Sequence, residues 1–211
     1  MTSSDQIYSS LNEILPVSRE TFLKLEILAD GVERWQPKTN LIANGTLDDL
    51  WSRHIADSLQ SIALKSSAKH WIDIGSGGGF PGLVIAACMA MSEDSTVHLV
   101  ESNSKKCAFL RQMNRQMGAK AEIHAERIES AAKRISTPEI VTARALAALP
   151  KLLDLASPWL LDGAIGLFHK GRDFEAEIKE CDGLWEFDLI NHPSNISDES
   201  VILEISNLRA L

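Results

Sequence analysis

Hydrophobic residues follow two different spacings along this chain, and the spacing changes near residue 70. Before that point apolar side chains recur every three or four positions, for example at Phe22, Leu25 and Val32, which predicts amphipathic helices. After it, short apolar runs alternate with amphipathic stretches, a pattern typical of a parallel sheet with crossover helices. The sequence therefore predicts helices over residues 5–66 in front of an α/β core.

Helix breakers and capping residues divide the first section into three predicted helices. Pro16 ends the first helix, Ser18 caps the second, and Pro37 ends the second. A third helix is expected after the cap candidate Thr46. The buried face of this third helix is predicted to carry Leu50, Ile55, Leu59 and Ile62.

The second section carries the predicted sheet. Strands are expected at 71–74, 96–101, 121–125, 139–143, 163–169, 184–191 and 200–206. Helices are expected at 82–91, 104–117, 127–135, 149–161 and 173–181, the second of them between the cap candidate Ser104 and Gly118.

The end of the chain refines the fold class. Only a turn-rich segment separates the last two predicted strands, so they should pair as an antiparallel hairpin. A seven-stranded, mostly parallel sheet with such a hairpin is the Rossmann-like α/β arrangement of class I methyltransferases. We expect residues 1–68 to form a helical extension packed on a methyltransferase domain at 69–211.

The stretch WIDIGSGGGFPG at 71–82 is the strongest candidate for a binding site. A buried strand ends there in four glycines within the five residues 75–79, and glycine lets a ligand approach the backbone where a side chain would block it. Pro81 suits the opening of the next helix, where a missing N–H costs nothing. Open parallel sheets bind ligands beyond the carboxyl ends of their strands, which is where this loop falls.

Two cofactors are compatible with the loop. Gly77, Gly79 and Gly82 match the dinucleotide fingerprint, and Glu101 lies near the distance of its ribose-binding acid, so a nicotinamide enzyme is possible. Asp73 stands two residues before the first glycine, which gives the DxGxGxG arrangement typical of S-adenosylmethionine sites. No second nucleotide-binding half is evident, which favours S-adenosylmethionine. A tight turn without a ligand is the third interpretation.

Polar residues also end the following predicted strands. A carboxylate at Glu101 can accept both ribose hydroxyls of a nucleoside, and Ala125 and Glu126 end the third strand where an adenine ring would lie. Arg144 follows the fourth strand, and its guanidinium suits a carboxylate or a phosphate. Helix capping and surface ion pairs are the structural alternatives for these residues.

Composition narrows the class of protein. A chain of 211 residues fits one well-buried core, and its apolar runs are too short to cross a membrane. No export signal precedes the first helix, so we expect a cytoplasmic protein. The net charge of −8 disfavours nonspecific coating of nucleic acid, although it leaves room for a local basic patch. The three cysteines, Cys88, Cys107 and Cys181, lack the spacing of a disulfide framework or a zinc site.

Seven segments in order resemble the bacterial 16S ribosomal RNA guanine-7-methyltransferase family, also called glucose-inhibited division protein B. They are TNLIA at 39–43, RHIADSL at 53–59, DIGSGGGFPG at 73–82, ESNSKKCAFLR at 101–111, AERIE at 125–129, TARALAAL at 142–149 and LFHKGR at 167–172. The resemblance implies that S-adenosyl-L-methionine is the cofactor and contacts Gly75, Phe80, Ala125, Glu126 and Arg144. Asp73, Gly77 and Glu101 are further predicted cofactor contacts, and they follow from the pattern of the glycine loop and not from the resemblance.

The implied reaction requires little from the protein. Ring nitrogen 7 of guanine carries a lone pair and no proton, so methylation needs alignment and no deprotonation. We therefore predict neither a catalytic base nor a metal, and expect His54, Asp57 and Arg144 to shape the substrate side of the pocket.

The expected partner is 16S ribosomal RNA, within a small-subunit particle and without an obligate protein partner. The predicted RNA contacts are Arg53, Lys105, Lys106, Arg127, Lys170 and Arg172. The alternatives are a methyltransferase that uses the same cofactor on another RNA or on a small molecule and, in a different class, a cofactor-binding regulator without catalysis.

Overall fold

The computed structural model of the protein describes residues 3–211, and its seven strands form one sheet in the order β3-β2-β1-β4-β5-β7-β6. The strands are β1 (His70–Ile74), β2 (Thr96–Glu101), β3 (Ala121–Ala125), β4 (Ile140–Arg144), β5 (Ile165–Lys170), β6 (Trp185–Pro193) and β7 (Val201–Ala210). The neighbouring pairs from β3 to β5 are parallel, whereas β7 runs antiparallel to both β5 and β6. The predicted terminal hairpin is confirmed.

Helices cover both faces of this sheet. The α-helices are α1 (Ser3–Ile14), α2 (Arg19–Trp35), α3 (Asp57–Leu64), α4 (Gly82–Met89), α5 (Ser104–Met117), α6 (Ile128–Ala131), α7 (Leu149–Leu160) and α8 (Phe174–Lys179). One apolar cluster holds Trp71 and Phe109 together with residues of α1 to α5. A second cluster, around Trp159 and Phe168, holds residues of α6 and α7 on the other face.

Two of the predicted helix caps are confirmed and two are wrong. Ser18 accepts a hydrogen bond from the backbone N–H of Thr21 at the start of α2, and Gly118 ends α5 in the left-handed conformation. Ser104 is the first residue inside α5, because Asn103 stands before it in an extended conformation and accepts from two backbone N–H groups of the first turn. Thr46 belongs to a separate 3₁₀ turn, Asn44–Thr46, and caps no helix.

The third predicted helix begins as a π-helix. Its first segment, Leu50–Ala56, has the wider π geometry, and α3 continues from Asp57. The predicted buried face is confirmed, since Leu50, Ile55, Leu59 and Ile62 are all buried. π-Helical turns are often found at functional sites, and this one carries Arg53 and His54.

The helices before β1 share a core with the sheet. Phe22 and Leu25 of α2 belong to the same apolar cluster as Trp71 of β1 and Leu83 of α4. The division into an extension at 1–68 and a domain at 69–211 stays a prediction. Among the described residues, no helix combines the length and the apolar character that crossing a lipid bilayer requires.

Candidate functional site

A cavity of about 780 Å³ opens at the carboxyl ends of the central strands. Its floor is the glycine loop after β1, and its walls come from the segment after β4, the π-helix and the end of β5. Gly77 lines this cavity at φ +52°, and a Cβ placed there would meet no atom closer than 3.6 Å. The missing side chain therefore leaves open space at a left-handed position, as a backbone cradle for a ligand requires.

Asp73 lies beneath the loop and holds it in place. Its carboxylate is 1% exposed and accepts hydrogen bonds from the Gly82 backbone N–H at 3.2 Å and the Thr142 hydroxyl at 3.0 Å. A Cβ on Gly82 would lie 2.6 Å from the same carboxylate, so glycine is required there. Burial raises the pKa of Asp73 to about 6. The structure makes Asp73 a positioning residue for the loop, and a direct contact with a ligand stays a prediction.

Glu101 connects the ends of β1, β2 and β3. One carboxylate oxygen accepts from the Gly77 N–H at 2.9 Å and the other from the Asn103 N–H at 2.7 Å. Ala125 is exposed at the end of β3, and the backbone N–H of Glu126 donates to the Glu101 carbonyl at 3.1 Å. The Glu126 side chain forms an ion pair with Arg134. The predicted nucleoside-binding residues are thus brought together at one edge of the loop.

Arg144 extends from the end of β4 into the cavity wall. Its guanidinium donates to the Arg53 carbonyl at 3.0 Å and to Nδ1 of His54, and it lies 5.3 Å from the centre of the Phe80 ring. Ala145, the next residue, has φ +53°, a strained conformation of the kind that clusters at functional sites. The guanidinium of Arg144 is thus held by both Arg53 and His54, and these bonds use two of its five N–H donors.

His54 is held in one tautomer. Nδ1 accepts from Arg144, so Nε2 carries the proton and donates to the Thr46 hydroxyl at 2.8 Å. Burial, with the charge of Arg144 second, lowers the pKa of His54 to about 3. The imidazole is therefore neutral at physiological pH, and both of its nitrogens are engaged.

Asp57 also lines the cavity, and it belongs to a hydrogen-bonded chain that sequence reasoning missed. Its Oδ2 accepts from His169 Nδ1 at 2.9 Å, and His169 Nε2 lies 2.7 Å from the hydroxyl of the fully buried Ser61. Burial would raise the pKa of Asp57, but the His169 hydrogen bond and the charge of Arg144, 3.9 Å away, hold it below its usual value. The sequence feature that could have predicted a role for His169 is its position near the end of β5, inside the segment LFHKGR.

The predicted RNA contacts differ in where they lie and in how far they are exposed. Arg53 and Lys106 line the cavity, whereas Lys105, Arg127 and Arg172 are exposed away from its wall. Lys170 also lines the cavity, but its side chain is only 7% exposed, pairs with Glu177 and donates to the Ala147 carbonyl at 2.8 Å. The Lys170 ammonium is thus engaged within the protein, and its contact with RNA stays a prediction.

The residues predicted to bind the cofactor fall into two groups, those that line the cavity and those that lie beneath or beside the glycine loop. Of the predicted cofactor residues, Gly75, Gly77, Phe80 and Arg144 line the cavity, as do His54 and Asp57. The others, Asp73, Glu101, Ala125 and Glu126, support the loop or lie at its outer edge.

Cys88, Cys107 and Cys181 are free thiols, half-buried or buried, and burial raises the pKa of Cys88 to about 12.

Comparison with known proteins identifies relatives over most of the chain. The model of the family described as rRNA small subunit methyltransferase G matches residues 22–199. Proteins called ribosomal RNA small subunit methyltransferase G from Brucella ovis and Brucella canis are each 51% identical over 208 residues, which is 98% of this chain and 98% of theirs.

Solved structures share the fold at low sequence identity. A putative O-methyltransferase from Klebsiella pneumoniae superposes with a TM-score of 0.59 at 11% identity, covering 97% of this chain and 99% of that one. Magnesium protoporphyrin IX methyltransferase from Synechocystis PCC 6803, solved with bound S-adenosylmethionine, gives 0.57 at 12% identity, covering 92% and 99%. The predicted methyltransferase fold is confirmed.

Proposed function

The chain belongs to the rRNA small subunit methyltransferase G family, and on this premise we propose that it methylates ring nitrogen 7 of a guanine in 16S ribosomal RNA, with S-adenosyl-L-methionine as the methyl donor. The observation that carries the proposal is the family match over residues 22–199. The cavity at the carboxyl ends of β1, β4 and β5 supports it, because open α/β sheets bind their ligands at this edge.

The glycine loop is the proposed cofactor cradle. When bound, S-adenosyl-L-methionine supplies an electrophilic methyl group on a sulfonium. Gly77 leaves room for a ligand against the backbone, and Asp73 fixes the loop from below through Gly82. Glu101 fixes it from the side through the Gly77 N–H. A carboxylate oxygen has two lone pairs, so Glu101 can still accept ribose hydroxyls while it holds the loop.

Arg144 and His54 form the proposed substrate wall. The guanidinium of Arg144 keeps N–H donors beyond those given to Arg53 and His54, and these can reach a carboxylate or an RNA phosphate. His54 keeps Arg144 in place rather than taking a proton, since both ring nitrogens are engaged and its pKa is about 3.

No residue of the wall has to act as a general base. The lone pair of guanine nitrogen 7 would attack the sulfonium methyl carbon, the C–S bond would break to release neutral S-adenosylhomocysteine, and the positive charge would pass to the 7-methylguanine without transfer of a proton. Correct orientation of two reactants can supply roughly 7–11 kcal/mol of a barrier. The rigid loop and the braced guanidinium are the parts of this chain that provide such orientation.

The substrate is proposed to be a structured small-subunit particle in the cytoplasm. The chain has a net charge of −8, so counterion release from scattered phosphate contacts gives little affinity. Arg53 and Lys106 at the cavity supply local positive charge. Single-stranded or unstacked guanines expose nitrogen 7, whereas it lies in the deep groove of duplex RNA.

Two experiments test this function. Calorimetry with S-adenosyl-L-methionine and with NAD should give saturable binding of the former, and binding of NAD alone would overturn the assignment of the loop.

Transfer of a labelled methyl group to small-subunit particles from cells lacking the enzyme, followed by nucleoside analysis, tests the product. We expect labelled 7-methylguanosine. Label in another nucleoside contradicts the ring-nitrogen assignment, and absence of label while S-adenosyl-L-methionine still binds supports a cofactor-binding regulator.

A further inference from the structure

Two histidines and a glutamate meet at the far edge of the sheet, away from the cavity. His98 lies on β2, and Glu122 and His124 lie on β3, which is the edge strand. His98 is the register partner of Glu122. Residues two apart on a strand share a face, so the parallel register places all three side chains on one side of the sheet.

We propose that His98, Glu122 and His124 form a binding site for a divalent transition-metal ion of the class that includes Zn²⁺. Nδ1 of His98 lies 3.0 Å from Nε2 of His124. Oε2 of Glu122 lies 3.5 Å from the first nitrogen and 4.0 Å from the second. Two ligands of a tetrahedral zinc ion, each at about 2.0–2.1 Å, lie about 3.3–3.4 Å apart. The three observed separations bracket that value, so small side-chain movements suffice.

The chemistry of the donors selects the class of ion. Imidazole nitrogen with carboxylate oxygen suits Zn²⁺, Ni²⁺ or Cu²⁺ better than Mg²⁺ or Ca²⁺, which prefer all-oxygen ligands. The Glu122 side chain is 59% exposed while the two imidazoles are 18% and 17% exposed. A fourth coordination position would therefore face solvent and hold water.

The two imidazoles can present their lone pairs without releasing a proton. One facing nitrogen donates its N–H to the other across 3.0 Å. On binding, the donor ring changes tautomer and carries its proton on the outer nitrogen. For His124 that nitrogen is Nδ1, which lies 3.8 Å from the Glu126 carboxylate. A carboxylate behind a ligating histidine is the usual outer partner that fixes its tautomer, and Glu126, which also pairs with Arg134, would have to move closer to make that hydrogen bond.

Calorimetric titration of the full-length protein with Zn²⁺ tests the proposal, which is independent of methyl transfer. We expect one saturable site. Each of His98→Gln and His124→Gln should weaken Zn²⁺ binding at least about tenfold, because loss of a ligand costs no less than loss of an outer partner, for which 10–100-fold is typical. The Glu122→Gln variant should also bind more weakly.

His192→Gln is the matched control. His192 also faces a carboxylate, with Nε2 2.9 Å from Glu204, but it joins no metal-capable cluster among the described residues. Its variant should bind Zn²⁺ as the wild type does. Co²⁺ absorption gives a second readout, because a thiolate ligand adds an intense near-ultraviolet band that an imidazole and carboxylate site lacks. No saturable Zn²⁺ binding, a thiolate band, or unchanged binding by the His98→Gln/His124→Gln double variant would overturn the proposal.

Discussion

Two buried aspartates near the cavity differ in whether a cation lies beside them. Asp73, under the glycine loop, is bonded by neutral groups, a backbone N–H and a threonine hydroxyl. Asp57, in the substrate wall, also accepts from a neutral amide, that of Gln60 at 2.9 Å, but it faces His169 at 2.9 Å and the Arg144 guanidinium at 3.9 Å as well. Burial therefore raises the pKa of Asp73 to about 6, whereas the partners of Asp57 overcome burial and lower its pKa.

This difference distinguishes the cofactor loop, where the carboxylate has a structural role, from the substrate wall, where it has an electrostatic role. A carboxylate with neutral partners fixes the loop geometry and contributes little charge to the cavity. A carboxylate beside a guanidinium balances the positive charge that lines the cavity. Cofactor loop and substrate wall should thus respond differently to mutation and to pH.

The Asp73→Ala substitution should have the largest effect. It leaves the buried Gly82 N–H without its acceptor, while the Thr142 hydroxyl keeps only the Ile72 carbonyl, 3.4 Å away. One unsatisfied buried group costs about 1–3 kcal/mol, so we expect the free energy of unfolding in urea to fall by about that amount, with loss of S-adenosyl-L-methionine binding. Asp94→Ala removes only a surface ion pair with Lys69 and should change stability by less than about 1 kcal/mol. Equal effects of the two variants would contradict the loop-holding role.

The pH dependence of stability should distinguish the two aspartates. Between the ordinary value of 3.8 and about 6, the folded chain holds a proton on Asp73 that the unfolded chain has lost. This contribution is therefore greatest below pH 4 and declines as pH rises through 6, by about 3 kcal/mol for two pKa units. For Asp57 the folded pKa is lowered, so its contribution is present above the unfolded pKa and is lost as pH falls through the folded value.

Urea unfolding from pH 4 to 7.5 checks this difference. Relative to wild type, Asp73→Asn should gain stability as pH rises across that range. Asp57→Asn should show no such gain and should differ most from wild type at the upper end. If the unfolding free energies of the two variants changed with pH in the same way, the proposed difference between Asp73 and Asp57 would be wrong.

The Arg144→Lys substitution should damage the substrate wall and leave the loop intact. A lysine keeps the charge but cannot bond Arg53 and His54 together as a planar fork. A charge-assisted hydrogen bond is worth about 1.5–3 kcal/mol, which corresponds to about 10–100-fold in kcat/KM for methyl transfer. Arg34→Lys, an exposed change on α2, is the control and should leave activity unchanged. A loss below twofold for Arg144→Lys would argue against the braced fork.

The smallest effect is expected at Arg172. Its guanidinium is exposed and pairs with Glu199 on the surface, so Arg172→Gln should change the unfolding free energy by less than about 1 kcal/mol. Lys170→Met should cost more, because it leaves Glu177 and the Ala147 carbonyl without their cation. Equal unfolding free energies of the two variants would contradict a stabilising role for the contacts of Lys170.

Local sequence patterns predicted the loops, caps and turns whose conformation depends on residues close together in the chain. The glycine loop, the Ser18 cap, the Gly118 stop and the terminal hairpin all have short-range signals, and each lies where its pattern placed it. Strand ends were predicted well enough to bring Glu101 and Arg144 to the same edge of the sheet.

Contacts between distant segments could not be predicted in this way. The pairing of Lys170 with Glu177 depends on how α8 turns back onto β5, and the bond from His169 to Asp57 depends on α3 packing against that strand. The His98 and His124 cluster requires the register of β2 and β3. Even the Ser104 prediction failed because Asn103, one residue earlier, has the extended backbone that a cap needs.

The central claim is that this site aligns two reactants and removes no proton. The single-turnover rate of methyl transfer to small-subunit particles, measured from pH 7 to 9 with saturating S-adenosyl-L-methionine, tests it most directly. Both aspartates are ionised and His54 is neutral throughout this range, so we predict a rate that is independent of pH. A rate that rises about tenfold per pH unit to a plateau would reveal a general base and contradict the account.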